Sequence, residues 1–161
     1  MNFKTLSLVA ALLLVAGCAQ KATDTSGTSG AGSGAGTSSA ANSTAALTTA
    51  LQQVGDRIYF ATDKTDITPE SRQILQKQAD LLKQNPSATV TIEGHCDERG
   101  TREYNLGLGE RRANAAKQAL VALGIAASRV NTISYGKERP AVLGHNEQAW
   151  AQNRRAVTVI N

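Results

Sequence analysis

Hydrophobic and polar positions divide the chain into three stretches. Leu6 to Ala16 is an apolar run behind Lys4. From Ala19 to about Ala46 the residues are Ser, Thr, Gly and Ala, with almost no large apolar side chain. From Leu47 onward, apolar residues recur with helix and strand periods. The middle stretch cannot bury enough apolar surface to offset the entropy of ordering it, so it is expected to be a flexible tether. A tether of about 30 residues has a root-mean-square span of about 30 Å and reaches about 100 Å when drawn out. The expected organisation is a targeting segment over 1–17, a tether over 18–46 and a folded domain over 47–161.

Within the domain, Arg57-Ile58-Tyr59-Phe60 reads as a short strand. Asp63 to Ile67 is a loop, and Thr68-Pro69-Glu70 starts a helix: a hydroxyl cap, Pro at the first helical position and an acid in the first turn. Ile74, Leu75, Leu81 and Leu82 form its apolar stripe, with Gln78 at the same spacing, and Asn85-Pro86 ends it. Ala88 to Glu93 alternates as a strand, with Val90 and Ile92 towards the core. A second helix is expected from about Asn105 to Leu123, with Ala113, Ala116, Leu120 and Leu123 on one face and Gly124 as its stop. Val130 to Tyr135 is the third strand. Gly136 to about Gln152 is a long loop with a short helix around Trp150, and Arg155 to Ile160 is the last strand. Leu47 to Val54 fits either a helical turn or a docking strand. The order β-α-β-α-β-β predicts an α+β domain with two main helices packed on one mixed sheet.

Composition narrows the function. The chain has 161 residues, of which 41% are hydrophobic, and a net charge of +4. That length and apolar content suit one domain with a real core. The positive charge is too weak, without an aromatic and basic stripe, to argue for nucleic acid. Lys4, the apolar run and Val15-Ala16-Gly17-Cys18 resemble a bacterial signal peptide with a lipobox, in which the Cys receives a diacylglyceryl group and becomes the new N-terminus. The run is too short to span a bilayer by itself, whereas several acyl chains hold stably at about 0.8 kcal/mol per buried methylene. Ala19 after the Cys, by resemblance to Gram-negative sorting rules, favours the outer membrane. Of the two Cys, lipidation of Cys18 leaves Cys96 unpaired, so no intramolecular disulfide is expected. Cys96 reads as a small, shielded side chain on a strand, the alternatives being a reactive thiol or an intermolecular disulfide.

Candidate chemistry lies in Gly94-His95-Cys96-Asp97-Glu98-Arg99-Gly100-Thr101, followed by Tyr104-Asn105 and Leu108-Gly109-Glu110-Arg111-Arg112-Ala113. Asp97 at a strand end and Arg112 about two turns into the next helix can reach one crevice, where open sheets place ligands. Taken as charges alone, the two also read as an internal ion pair fixing loop to helix. Nucleophilic catalysis is disfavoured. His95 and Cys96 are neighbours on a strand and point to opposite faces, and His145 lies in a remote loop. No second carboxylate is placed convincingly beside Asp97 for glycoside cleavage. His95, Cys96 and Asp97 also lack zinc-ligand spacing. No catalytic residue, metal or cofactor is expected.

These blocks, with Ser134-Tyr135-Gly136-Lys137-Glu138-Arg139-Pro140-Ala141-Val142 and Asn153-Arg154-Arg155-Ala156-Val157, resemble the OmpA-like peptidoglycan-binding domain family over Tyr59 to Val159. Cys96 stands where that family usually has Ala or Thr. With lipobox and tether included, the whole chain is similar to the lipoproteins of that family in the Tol–Pal envelope system. The resemblance implies non-covalent binding of the peptide stem of peptidoglycan through diaminopimelate, whose side chain ends in an ammonium and a carboxylate on one carbon. It maps the family acid to Asp97, the family arginine to Arg112 and the loop acid to Asp63, with Asn105 and Leu108 lining or bracing the pocket. It implies TolB and other Tol proteins as partners, an outer-membrane location facing the periplasm, and a part in envelope integrity and cell division. Glu98, Arg99, Arg102 and Glu103 read as a solvated charged loop, and Tyr104 as packing on the helix start. Arg154 and Arg155 read as partners of acids near the sheet or contacts for a protein.

Overall fold

The computed structural model describes residues 37–161. The expected targeting segment, Cys18 and the tether up to residue 36 lie outside the described residues. The described chain opens with helix α1, Thr37–Val54. This corrects the expected tether, whose last residues are helical, and resolves Leu47–Val54 as helix. The physical reason is tertiary. Leu51 is buried, and α1 packs against the second helix and the last strand, which adds the apolar burial that the low-complexity stretch lacks. Gly55, at φ +102°, ends the helix.

The remaining elements are β1 Arg57–Tyr59, α2 Pro69–Gln84, β2 Val90–His95, α3 Arg102–Ala122, a 3₁₀ turn Ala127–Arg129, β3 Val130–Gly136, α4 Glu147–Asn153 and β4 Arg155–Ile160. Local chemistry sets several boundaries. The Thr68 hydroxyl accepts from the Ser71 amide ahead of Pro69, as the sequence predicts. Helix α3 starts earlier than expected because the Thr101 hydroxyl accepts from the Tyr104 amide at 3.2 Å. Asn146 caps α4 through the Ala149 amide at 2.9 Å.

The four strands form one sheet in the order β1-β4-β2-β3. Strand β4 is antiparallel to both of its neighbours, and β2 and β3 run parallel, so the sheet is mixed, as expected. Val90 pairs with both Val130 and Ile160 at one end of the ladder. Helices α2 and α3 cover one face. Ile58, Leu75, Leu82, Val90, Ile92, Ala113, Ala116, Leu120 and Val130 form the core between them and the strands. Gln78, on the apolar stripe of α2, is fully buried and satisfied: it donates to the Gly55 carbonyl at 2.7 Å and accepts from the Thr158 hydroxyl at 2.9 Å. Helix α3 lies closest to the sheet at Gly109, whose backbone rests on that of Gly94 in β2. The Ser134 hydroxyl of β3 donates to the Leu106 carbonyl at 2.7 Å and ties the same stretch of helix to the sheet edge.

Candidate functional site

Three segments converge beyond the end of β2: the turn after β1, the loop from Cys96 to Thr101, and the first three turns of α3. Between them lies a crevice of about 290 Å³, lined by Thr62, Asp63, Cys96, Asp97, Arg99, Gly100, Tyr104, Asn105, Leu108 and Arg112. The five residues singled out from the sequence, Asp63, Asp97, Asn105, Leu108 and Arg112, all line it.

Arg112 is fully buried, and its guanidinium is the brace of the crevice. Its Nη2 donates to the Ala61 carbonyl at 3.1 Å and its Nε to the Lys64 carbonyl at 3.0 Å. Those carbonyls are the two ends of a turn that the Lys64 amide closes by donating back to Ala61. Nη1 donates to the His95 carbonyl at 2.9 Å, at the last residue of β2. One side chain from α3 therefore fixes the turn to the strand end. Three of its five N–H groups go to backbone carbonyls. Burial lowers its pKa from the ordinary value, yet an arginine stays charged.

The turn that Arg112 holds contains Asp63 at φ +58°, in the left-handed region that Asp tolerates better than most residues. The Tyr104 hydroxyl donates to the Asp63 carboxylate, so Tyr104 bridges α3 to the turn rather than only packing on the helix start. Asn105, also buried, secures the opposite wall. Its Nδ2 donates to the carbonyls of Arg99 at 2.7 Å and Thr101 at 3.0 Å.

Asp97 lies two residues past the end of β2 and is 7% exposed. It forms no ion pair with Arg112. Its Oδ2 accepts from Arg99 Nη2 at 2.6 Å and from Arg154 Nη1 at 3.3 Å, and its Oδ1 accepts from the Arg99 backbone amide and Nε, each at 3.1 Å. Burial pushes this carboxyl up, but the hydrogen bonds from Arg99 and Arg154 outweigh it and hold it below the usual range. Arg154 is itself anchored, donating to the Phe60 carbonyl at 3.1 Å and to Glu147 at 2.6 Å. The internal ion pair that charge alone suggested thus exists with other partners, Arg99 and Arg154. A side chain read as solvated loop, Arg99, sits on the acid. The available signal was the Asp97-Glu98-Arg99 spacing, which allows an Asp side chain to bond the amide two residues on.

A second belt of contacts ties the crevice loop to α4 and the segment before it. Lys137 Nζ donates to the carbonyls of Glu98 at 3.1 Å and Gly100 at 2.7 Å. The Glu98 carboxylate takes the Trp150 indole N–H at 2.9 Å and pairs with His145 at 2.7 Å. Cys96 is buried, and its thiol donates to the Asn105 carbonyl at 3.3 Å, with burial pushing its pKa up. His95 lies instead on the other side of β2, against the Tyr135 ring at 5.6 Å, while the Cys96 thiol is against α3. Among the described residues no helix is long and apolar enough to cross a membrane.

The model of the OmpA family matches residues 59–154. A peptidoglycan-associated lipoprotein of Haemophilus influenzae is 48% identical over 154 residues, covering 96% of this chain and 95% of that protein. The chain belongs to the OmpA family, among the peptidoglycan-associated lipoproteins. The lipoprotein of this kind from Agrobacterium fabrum is 55% identical over 107 residues, 66% of this chain, which spans 60% of that relative's length. The crystal structure of the peptidoglycan-associated lipoprotein from Burkholderia pseudomallei superposes with a TM-score of 0.64 at 43% identity, over 66% of this chain and 90% of that one. The four-stranded mixed sheet with its crevice is therefore the OmpA-like fold.

Proposed function

We propose that this lipoprotein binds the peptide stem of peptidoglycan through the crevice and tethers the outer membrane to the cell wall. The ligand group is the side-chain end of diaminopimelate. Its ammonium goes to the Asp97 carboxylate. Its carboxylate goes to the N–H groups that Arg112 does not give to backbone carbonyls, with Asp63, Asn105 and Leu108 shaping the walls. Charge-assisted hydrogen bonds in a partly dry crevice are stronger than in water. The observation that carries this reading is the convergence of a carboxylate and a guanidinium, each less than a tenth exposed, on one crevice at a sheet end.

The family and the sequence support the rest of the reading. Lipid on Cys18 holds the chain to the outer membrane, with the domain in the periplasm. TolB and other Tol proteins are its partners in envelope integrity and cell division, TolB competing with the wall for one surface. The role is binding rather than turnover: the His95 ring and Cys96 thiol face opposite sides of the sheet and cannot act as a nucleophile and its base.

Calorimetric titration of the full chain with a diaminopimelate stem peptide and its lysine counterpart tests the reading. Lysine lacks the distal carboxylate, so its peptide is expected to bind at least about tenfold more weakly, or 1.4 kcal/mol. Asp97→Ala leaves a charge unmatched and is expected to cost about 2–5 kcal/mol of binding. Equal binding of both peptides, or an Asp97→Ala chain that retains wild-type affinity, overturns it.

A further inference from the structure

We propose that Arg99 is the specificity-determining residue of the crevice. It is an internal cation that occupies Asp97 and yields it only to a ligand carrying a carboxylate beside its ammonium. The inference rests on the binding reading above.

Arg99 sits where the ligand's ammonium must go. Its guanidinium meets the Asp97 carboxylate with two prongs, Nη2 on Oδ2 at 2.6 Å and Nε on Oδ1 at 3.1 Å. An ammonium can reach those oxygens only by displacing or sharing them. The two guanidiniums on Asp97 differ in how free they are to leave. Arg154 has a side chain 7% exposed and is held by the Phe60 carbonyl and Glu147, so it is fixed behind the acid. Arg99 has a side chain 39% exposed. Beyond Asp97 its guanidinium meets the rim, the Thr62 hydroxyl at 3.3 Å and the face of the Trp150 ring at 4.2 Å. It can swing out without opening the core, and its backbone amide stays on Asp97 Oδ1 at 3.1 Å.

The charge balance then sets the selectivity. A ligand with an ammonium alone adds a third cation around one carboxylate and leaves the guanidinium of Arg99 without its two-pronged carboxylate partner, with only the longer-range charges of Glu98 and Glu147 beside it. A ligand with ammonium and carboxylate on one carbon replaces what it removes: Asp97 receives the ammonium, and the released fork of Arg99 joins Arg112 on the ligand's carboxylate. Rejection of the wrong ligand is thus built from a repulsive contact as well as an attractive one.

The experiment titrates the full chain and its Arg99→Ala and Arg99→Gln variants with the diaminopimelate and lysine stem peptides, after thermal unfolding shows that the variants fold. In both variants the preference for diaminopimelate is expected to shrink from about tenfold or more to within about threefold, chiefly through tighter binding of the lysine peptide. Trp150, the one tryptophan of the chain, supplies a second readout. Its emission changes when the diaminopimelate peptide displaces Arg99 from the ring, and this change is lost in both variants. A preference that survives undiminished, or affinity lost equally for both peptides, overturns the inference and leaves the binding reading in place. Wild-type protein that binds neither peptide refutes both.

Discussion

Arg154 Nη1 approaches Asp97 Oδ2 at 3.3 Å, and both residues are less than a tenth exposed. Arg154 is the C-cap of α4, directly before β4. The acid of the crevice is therefore held from the last part of the fold as well as from its own loop. Arg154→Ala removes a donor from Asp97, from the Phe60 carbonyl and from Glu147 at once. Because Arg99 remains on the acid, the expected loss is about 2–4 kcal/mol rather than the larger figure for a fully orphaned buried charge. Urea unfolding measures it. The double variant with Asp97→Asn should lose less than the sum of the two single losses.

Arg112→Lys keeps the charge and gives up the fork. One ammonium cannot serve the carbonyls of Ala61, Lys64 and His95 in the geometry that the guanidinium matches. A stability loss of about 2–4 kcal/mol is expected from unsatisfied buried acceptors. Loss of binding should accompany it, because the Asp63 turn is no longer pinned. Amide hydrogen exchange across residues 61–64 checks the second effect, which should rise in the variant.

A Cβ on Gly94 would lie 1.8 Å from the Gly109 carbonyl oxygen, a backbone atom that no rotamer change can move aside. Gly94→Ala must therefore push α3 away from β2. The expected result is a drop in Tm of more than about 10 °C, or no folded protein. Circular dichroism melting distinguishes this from the small change expected of a tolerated surface substitution.

Burial first, and then the Arg155 charge, hold the pKa of His95 down to about 4, against 6.5 for a free histidine. The unfolded chain therefore takes up this proton well before the folded one. The stability contribution is complete above pH 6.5 and falls as pH drops towards 4, by about 3 kcal/mol across that interval. Denaturant unfolding between pH 7 and 4 should show this decline, and His95→Leu should flatten it. Asp97, with its lowered pKa, adds its own loss further into acid.

Cys96 is buried and its thiol is pushed up by burial, so the reactive thiolate is scarce in the folded state. In a Cys18→Ser chain, where Cys96 is the only thiol, iodoacetamide should label it at least about 100-fold more slowly under native conditions than in urea. Mass spectrometry over time reads the ratio.

Much of this was legible in the sequence because it is local. The Thr68-Pro69 start, the Gly124 stop, the helix at Trp150 and the alternation of β2 each depend on a few adjacent residues. Leu47–Val54 was not decidable locally, because burial of Leu51 against distant elements makes it a helix. The apolar stripe of α3 shows its alanines facing the sheet, but the backbone contact between Gly109 and Gly94 lies outside that stripe. Periodicity does not reveal which small residue meets which backbone. At the site, the identities of Asp97 and Arg112 pointed to the crevice, but their partners did not follow. Arg112 bonds the carbonyls of Ala61 and Lys64, and backbone acceptors carry no signature in a side-chain pattern. Arg154 reaches Asp97 from 57 residues away, a separation that only the folded sheet closes.

Strand β4 comes after the other strands in chain order yet lies inside the sheet, between β1 and β2. During synthesis β1 has no hydrogen-bonding neighbour until the final segment arrives, and the parallel pair of β2 and β3 waits with one side open. Nor can the acid of the crevice acquire its fixed arginine before then. A chain interrupted shortly before Arg154 would lose the middle of its sheet rather than a fringe. Competence to bind should therefore emerge in a single late step and not accumulate as the polypeptide lengthens.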